Sequence, residues 1–479
     1  MARRAPGVGA GEFASTQFDA GSAPSPEMRH QAEGARFKGG PATRGAYHWP
    51  MRLAIGVLLL ISLAGGSAWA ASEWPQFRGP DGNGSSPARR VPLSWSETNN
   101  LAWKVSPPGR GRSSPIVSGD RIWLTYALEQ GVVRKPIGGD DMQTAEHVTL
   151  GVLCLDARNG KLLWQTNLFD VANPAPVHWL NSWATPTPVI ESQRLYCDFG
   201  TFGTACLDAK TGKSLWQAQL SVDHQVGPGS SPVLSGKLLV LVRDGRDAQY
   251  VCALDKQTGK QAWRSERPPM GEAHANLKKS FVTPMLVNAA GRMQLVSPAA
   301  QWVVSYNPAT GQEFWRARHG SGFSIGSCPV FGDGKVIFST GCFKPQLVAI
   351  RPDGSGDVTE THIAWKTTRQ VPVMSSPVLS GQEVVYVSDD GMATCAKVAN
   401  GEPLWQERLG QQHLASPLLA EGRIYFFGKD GKTTMVKAAE QFEKLAENQL
   451  DGTVIATPAI VDGTIFLRTD THLYRIGKR

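Results

Sequence analysis

The chain reads as an all-β protein: an eight-bladed β-propeller of four-stranded antiparallel blades, closed by an N-terminal strand that completes the last blade. Three observations lead there. A tight-turn motif ending on a tryptophan strand recurs at intervals of roughly 40–61 residues, a period that signals a repeat architecture. Eight Ser/Thr/Cys-Pro dipeptides each open an apolar run. An unpaired tryptophan strand stands near the start, and the last repeat lacks one.

The turn motif is clearest in Leu155–Trp164, Leu207–Trp216 and Asp255–Trp263, and looser in Asn307–Trp315 and Ala399–Trp405. An Asp or Asn, two polar residues and Thr/Asn-Gly form a hairpin turn. The acidic or amide side chain accepts from nearby backbone N–H groups, and the Gly takes the positive φ. The Trp four residues past the Gly lies on the outgoing strand, where one large aromatic per repeat packs neighbouring repeats together.

The openings are Ser114-Pro115, Thr187-Pro188, Ser231-Pro232, Thr283-Pro284, Cys328-Pro329, Ser376-Pro377, Ser416-Pro417 and Thr457-Pro458. Proline suits a first strand position, where no ladder donor is required. One whole copy runs Ser376–Leu379, Glu383–Ser388, Ala393–Lys397 and Pro403–Glu407, which is four strands. Four strands in eight repeats match a propeller. The last repeat holds three strands up to Ile476, and Leu101–Val105 supplies the fourth, removing an exposed sheet edge.

Ahead of the propeller (101–479) come three segments. Residues 1–50 are polar and aperiodic and read as a disordered extension or a misassigned start. Residues 51–70 read as a signal peptide: Arg52, an apolar run from Leu53 to Leu63, then Ala68-Trp69-Ala70 as a cleavage pattern. Residues 71–100 form a leader. Export places the protein in the periplasm or outside the cell. The apolar run is short for a membrane span, so the processed chain is not membrane-spanning. Removing residues 1–70, with seven Lys/Arg and four Asp/Glu, lowers the net charge from +8 to +5. No Lys/Arg run interleaved with aromatics occurs, so no nucleic-acid partner is expected.

Seven cysteines then face an oxidising compartment. Cys197 and Cys206 flank Gly200–Gly203 symmetrically and lie directly opposite if the hairpin is simple, within reach of a disulfide. Cys328 and Cys342 share one end of a repeat. Cys154, Cys395 and Cys252 read as buried small apolar residues. No C-x-x-C or Cys/His metal spacing is present. Asp81-Gly82-Asn83-Gly84 reads as a plain turn rather than a calcium loop, and Asp140-Asp141 supplies too few oxygens for a cation site.

In a propeller the short hairpin turns share one face, and the longer connections share the other. The second face here carries 129–147, 168–184, 219–229, 267–281 and 352–362, and functional variation sits on such loops. The segments leading into the central channel supply the candidate ligand-binding set: Arg112, His178, Trp179, Asn181, His224, His274, Lys278, Arg369 and His413. A ring of cations favours an anion, Arg holds carboxylates bidentately, and Trp179 or Trp183 offers a stacking surface. No residue stands out as catalytic and no metal ligand is assigned.

The Asp-x-x-Thr-Gly-Lys-x-x-Trp repeat resembles that of pyrroloquinoline-quinone (PQQ) propellers, which include quinoprotein alcohol dehydrogenases and the propeller subunit of the outer-membrane β-barrel assembly machinery. The leader Trp74-Pro75-Gln76-Phe77-Arg78-Gly79-Pro80 is similar to secreted PQQ-repeat proteins. The resemblance covers about 74–479. It implies PQQ as the cofactor if there is one, with Ca²⁺ held by Glu and Asn, a catalytic Asp and a disulfide between adjacent cysteines. This chain has no adjacent cysteines, and no Asp stands among the channel-leading candidates. The expectation is therefore a non-catalytic binding or scaffold module that takes a protein, glycan or small anion on the loop-bearing face. The alternative is a PQQ-dependent oxidoreductase acting on alcohols or sugars.

Overall fold

The structure is a computed structural model and describes residues 73–137, 140–271 and 273–477. The segments read as an extension and a signal peptide lie outside them. Among the described residues the fold is all-β. Its main sheets each hold four antiparallel strands in a meander. The second is Val189–Glu191, Arg194–Asp198, Thr204–Asp208 and Ser214–Ala218; the third is Val233–Ser235, Leu238–Asp244, Gln249–Asp255 and Gln261–Glu266. Six further sheets with four antiparallel strands follow or precede them, two of these with a short parallel strand added, and no sheet closes on itself. Leu101–Val105 pairs antiparallel with Leu473–Ile476, next to Thr464–Arg468.

The turn chemistry explains the hairpins. In the second sheet Asp208 Oδ1 accepts from the Thr211 N–H at 2.7 Å and from its hydroxyl at 2.7 Å. The Gly212 N–H donates to the Asp208 carbonyl at 2.8 Å, and Gly212 takes φ 74°. One extra residue beside the turn shifts the ladder register between Cys206 and Leu207, and the same shift recurs at Ala253/Leu254, Ser305/Tyr306 and Cys395/Ala396. It is the bulge that a left-handed Gly at the end of a hairpin loop produces.

Trp216, Trp263 and Trp365 each reach across to the next sheet. The Trp216 ring covers Gly259, and its indole N–H donates to the Lys256 carbonyl at 3.1 Å. Trp263 does the same over Gly311 and Pro308, and Trp365 over Gly401 and Val398. The openings also join sheets. The Ser114 N–H donates to the Thr187 hydroxyl, Thr187 to Ser231, Ser231 to Thr283, Cys328 to Ser376, Ser376 to Ser416, and Ser416 to Thr457, all at 2.9–3.0 Å. The hydroxyl before the proline is thus the acceptor for its neighbour's backbone donor. Two buried ion pairs add to this on adjacent residues: Arg243 with Asp198 at 2.7 Å, and Asp244 with Arg267 at 2.8 Å.

Three features depart from the sequence reading. The segment 129–147 is no plain loop: Arg121–Gln130 and His147–Asp156 pair along ten residues, and a three-stranded sheet of Val133–Ile137, Asp140–Thr144 and Val177–His178 follows. Cys197 and Cys206 do not face each other. A single 3-10 turn at Gly200–Phe202 sets Cys206 opposite Tyr196 and Cys197 opposite Ala205. The two thiols then point to opposite faces and pack in different clusters, and every cysteine is free. The leader also has structure. Ser85–Ser86 pairs parallel with Leu419–Ala420, and Arg78 is buried, donating to the carbonyls of Gly82, Asn83 and Pro377. Asp81–Gly84 is part of that turn.

Candidate ligand-binding cavity

The segments that precede the Ser/Thr-Pro openings converge on a cavity of about 680 Å³, within the range of small-molecule sites. The opening residues Ser114, Thr187, Ser231, Thr283, Ser376, Ser416 and Thr457 line it, as do Phe281, Phe323, Phe343, Met374, Leu414 and Ile455. Arg112 and Lys279 bring positive charge, and His178, His274, Asn181 and Asn276 bring further polar atoms. None of its lining residues is Asp or Glu. Phe77 of the leader lines this cavity and also a second one of about 310 Å³ that Gln76, Asp81, Pro232 and Pro329 border. That phenyl ring therefore stands between the two.

Backbone strain collects here. Gln225, Ser324 and Phe343 all line the cavity with positive φ, at 62°, 50° and 55°. Non-glycine residues held this way cost energy and cluster at binding sites. Phe343 is 76% exposed, with its ring 5.2 Å from that of Phe323.

Of the nine candidates from the sequence, Arg112, His178, Asn181 and His274 line the cavity. Trp179 turns into a side cavity of about 230 Å³, where the Lys429 ammonium lies 5.0 Å from its ring. Lys278 caps a short turn and is outside the lining; its neighbour Lys279 is inside it. Arg369 is exposed and does not line the cavity. His224 is buried behind the wall beside Phe281, with neither ring nitrogen bonded, and burial pushes it down to about 3. His413 is buried too; its Nδ1–H donates to the Gln411 carbonyl at 2.8 Å, and burial lowers its pKa. The two histidines are structural, because a proton on either would sit unsolvated. The sequence reading missed the aromatic wall and the hydroxyl ring. The signal of the wall was one apolar residue in most pre-opening segments, and that of the ring was the Ser/Thr before each proline.

The fit to a PQQ–calcium pair is partial. Arg112 and Lys279 suit carboxylates, and the aromatics suit a flat ring. Calcium prefers six to eight oxygens, several from carboxylates, and the lining supplies none. Among the described residues no group of three His, Cys, Asp or Glu converges anywhere to hold a metal ion.

A family model described as outer membrane protein assembly factor BamB matches residues 150–297 and 299–440. Quinohemoprotein alcohol dehydrogenase ADH-IIG of Pseudomonas putida is 26% identical over 253 residues, covering 50% of this chain and 34% of that one. The assembly factor BamB of Burkholderia pseudomallei is 23% identical over 230 residues, 46% of this chain and 55% of its own. The chain thus spans about a third to just over half of the length of these two curated relatives. Among solved structures, a europium-containing methanol dehydrogenase superposes with a TM-score of 0.59 at 12% identity, covering 84% of this chain and 90% of that one. That likeness concerns the β-propeller fold. Because the two matched stretches of the family model together take in more than half of the sequence, the chain belongs to the PQQ-repeat family described as outer membrane protein assembly factor BamB.

Proposed function

We propose that this chain is a non-catalytic binding module that takes its ligand in the central cavity of the loop-bearing face. The observation that carries this reading is a lining rich in aromatics, hydroxyls and two cations that holds no carboxylate. Alcohol oxidation needs a general base beside the substrate, and a carboxylate is the simplest group for it. A small anion is the ligand the lining favours, with a protein or glycan reaching the same face. We further propose that the eight four-stranded sheets are blades of a ring completed by Leu101–Val105. Trp103 supports this: it covers Gly160 of the first sheet and donates to the Ala157 carbonyl at 3.1 Å, as the other tryptophans do to their neighbours. Arg468, from the last sheet, donates to the Ser113 hydroxyl at 2.7 Å. The signal-like segment 51–70 supports a periplasmic or secreted location. Among the described residues no helix is long and apolar enough to cross a membrane.

The second reading, a PQQ-dependent oxidoreductase, is favoured by the dehydrogenases among the relatives. One assay separates the two. Purified protein is titrated with PQQ and Ca²⁺ while quinone absorbance and dye reduction with an alcohol panel are followed. The binding-module reading expects no dye turnover; turnover above a protein-free blank overturns it.

A further inference from the structure

The cavity beside Trp179 holds the more specific information. Its polar lining includes Arg110, Arg112, Arg134 and Lys429, against two carboxylates, Glu129 and Asp470. Among the described residues these four form no contact pair with a carboxylate within 4 Å. Arg134 donates to Gln143 at 3.1 Å and Lys429 to Gln412 at 3.0 Å, both neutral amides. Asp470 instead accepts from the Thr453 backbone N–H at 2.8 Å. Four positive charges in a niche of about 230 Å³, two of them uncompensated, attract an oxyanion.

This niche adjoins the central cavity. Arg112, Leu180, Asn181 and Ile455 line both. The larger space is dominated by Phe281, Phe323, Phe343, Leu414 and Met374. Phe343 and Met374 stay 76% and 44% exposed. One compartment is therefore cationic and the adjoining one apolar, with the Arg112 guanidinium at the junction. A small inorganic anion would leave the apolar compartment unused, and a neutral hydrocarbon would leave the cationic one unused.

We infer that the ligand is a small amphipathic anion: an oxyanion head seated among Arg110, Arg112, Arg134 and Lys429, and an alkyl or aryl body lying along the Phe281–Phe323–Phe343 wall. This rests on the non-catalytic reading of the same face and names its ligand class.

Three probes test it by isothermal titration: dodecanoate kept below micelle formation, dodecanol, which keeps the tail and loses the charge, and acetate, which keeps the head and loses the tail. Dodecanoate should bind at least about tenfold more tightly than either, each difference corresponding to about 1.4 kcal/mol. Arg134→Gln, on an exposed strand where folding is not at risk, should weaken dodecanoate at least about threefold and leave dodecanol unchanged; Arg112→Gln should do the same more strongly. Phe343→Ser should weaken dodecanoate and dodecanol together. Equal binding of dodecanoate and dodecanol overturns the head site. So does unchanged dodecanoate affinity in both arginine variants. Unchanged affinity for both probes in Phe343→Ser overturns the tail site. The titration needs no turnover, so its result is independent of the dye assay: a dehydrogenase that ignores dodecanoate and a binding module that ignores it give different pairs of outcomes.

Discussion

Replacing Gly311 with alanine measures how the tryptophan contact joins neighbouring sheets. Gly311 sits at φ 75°, and a Cβ built there lies 2.5 Å from Cε3 of Trp263 and 2.7 Å from the Ser265 hydroxyl. Two costs follow. Holding alanine in the left-handed region takes about 1–2 kcal/mol. The overlap forces the indole outward, stretching its 3.2 Å bond to the Pro308 carbonyl, and overpacking of this kind costs about 1–3 kcal/mol more. The sum is about 2–5 kcal/mol. Gly334 is the control: it has φ 66° and no atom within 4 Å of the added Cβ, so Gly334→Ala should cost only the backbone part. Urea unfolding followed by intrinsic fluorescence gives the midpoint shift. In a Trp263→Leu background the extra cost at Gly311 should shrink toward that of Gly334, the signature of coupled neighbours. If Gly311→Ala costs no more than Gly334→Ala in the native background, the tryptophan does not clamp the turn and the packing argument is wrong.

Other perturbations read other links. Arg243→Met leaves Asp198 buried without its partner and should cost about 3–5 kcal/mol, whereas Arg243→Met with Asp198→Leu should recover most of it, read by urea midpoints. Thr187→Val removes the acceptor for the buried Ser114 N–H and should cost about 1–3 kcal/mol, while Thr187→Ser should be nearly neutral in the same assay. The buried His319 is held down to about 4, chiefly by burial. Its folded pKa lies below the unfolded value near 6.5, so the unfolded chain binds the extra proton. Stability is then fully present above about pH 6.5 and falls as pH drops toward 4, by at most about 1.4 kcal/mol per pH unit from this residue. His319→Gln should flatten that slope in urea melts between pH 4 and 7, and an unchanged slope would remove the residue from the account.

What could be read from the sequence was local. The Asp-x-x-Thr-Gly turn specifies its own hydrogen bonds within five residues, and Trp216 or Trp263 follows at a fixed offset, so the strands and their four-stranded sheets were legible. The Ser/Thr before each proline was visible, but its role was not: Thr187 acts on the Ser114 N–H of another repeat. Cys197 and Cys206 were misjudged because a 3-10 turn changes the count across a hairpin by one residue, and one residue exchanges the faces. The leader was legible only as a motif. Arg78 finds its partner carbonyl at Pro377, nearly three hundred residues away, and no local pattern announces such a contact. Lys279 and Lys278 differ by one position, below the resolution of any reading that lacks the backbone path.

The turn, glycine and tryptophan residues that repeat along the chain and the residues that line the cavity are largely different sets, and this bears on how far likeness carries toward function. The turn Asp, the Gly and the Trp face the seams between sheets, where each has a partner fixed by the fold. Of the repeating positions only the opening hydroxyls reach the cavity, and their oxygens serve the neighbouring strand. Arg112, Lys279, Phe323, Phe343 and Met374 belong to connections that no repeat constrains. A dehydrogenase and an assembly factor both stand among the relatives of this chain. Their shared geometry leaves the chemistry of the cavity to a few connection residues. In this chain those residues make the central cavity largely aromatic and free of carboxylates, and set Arg110, Arg112, Arg134 and Lys429 against Glu129 and Asp470 in the niche beside it.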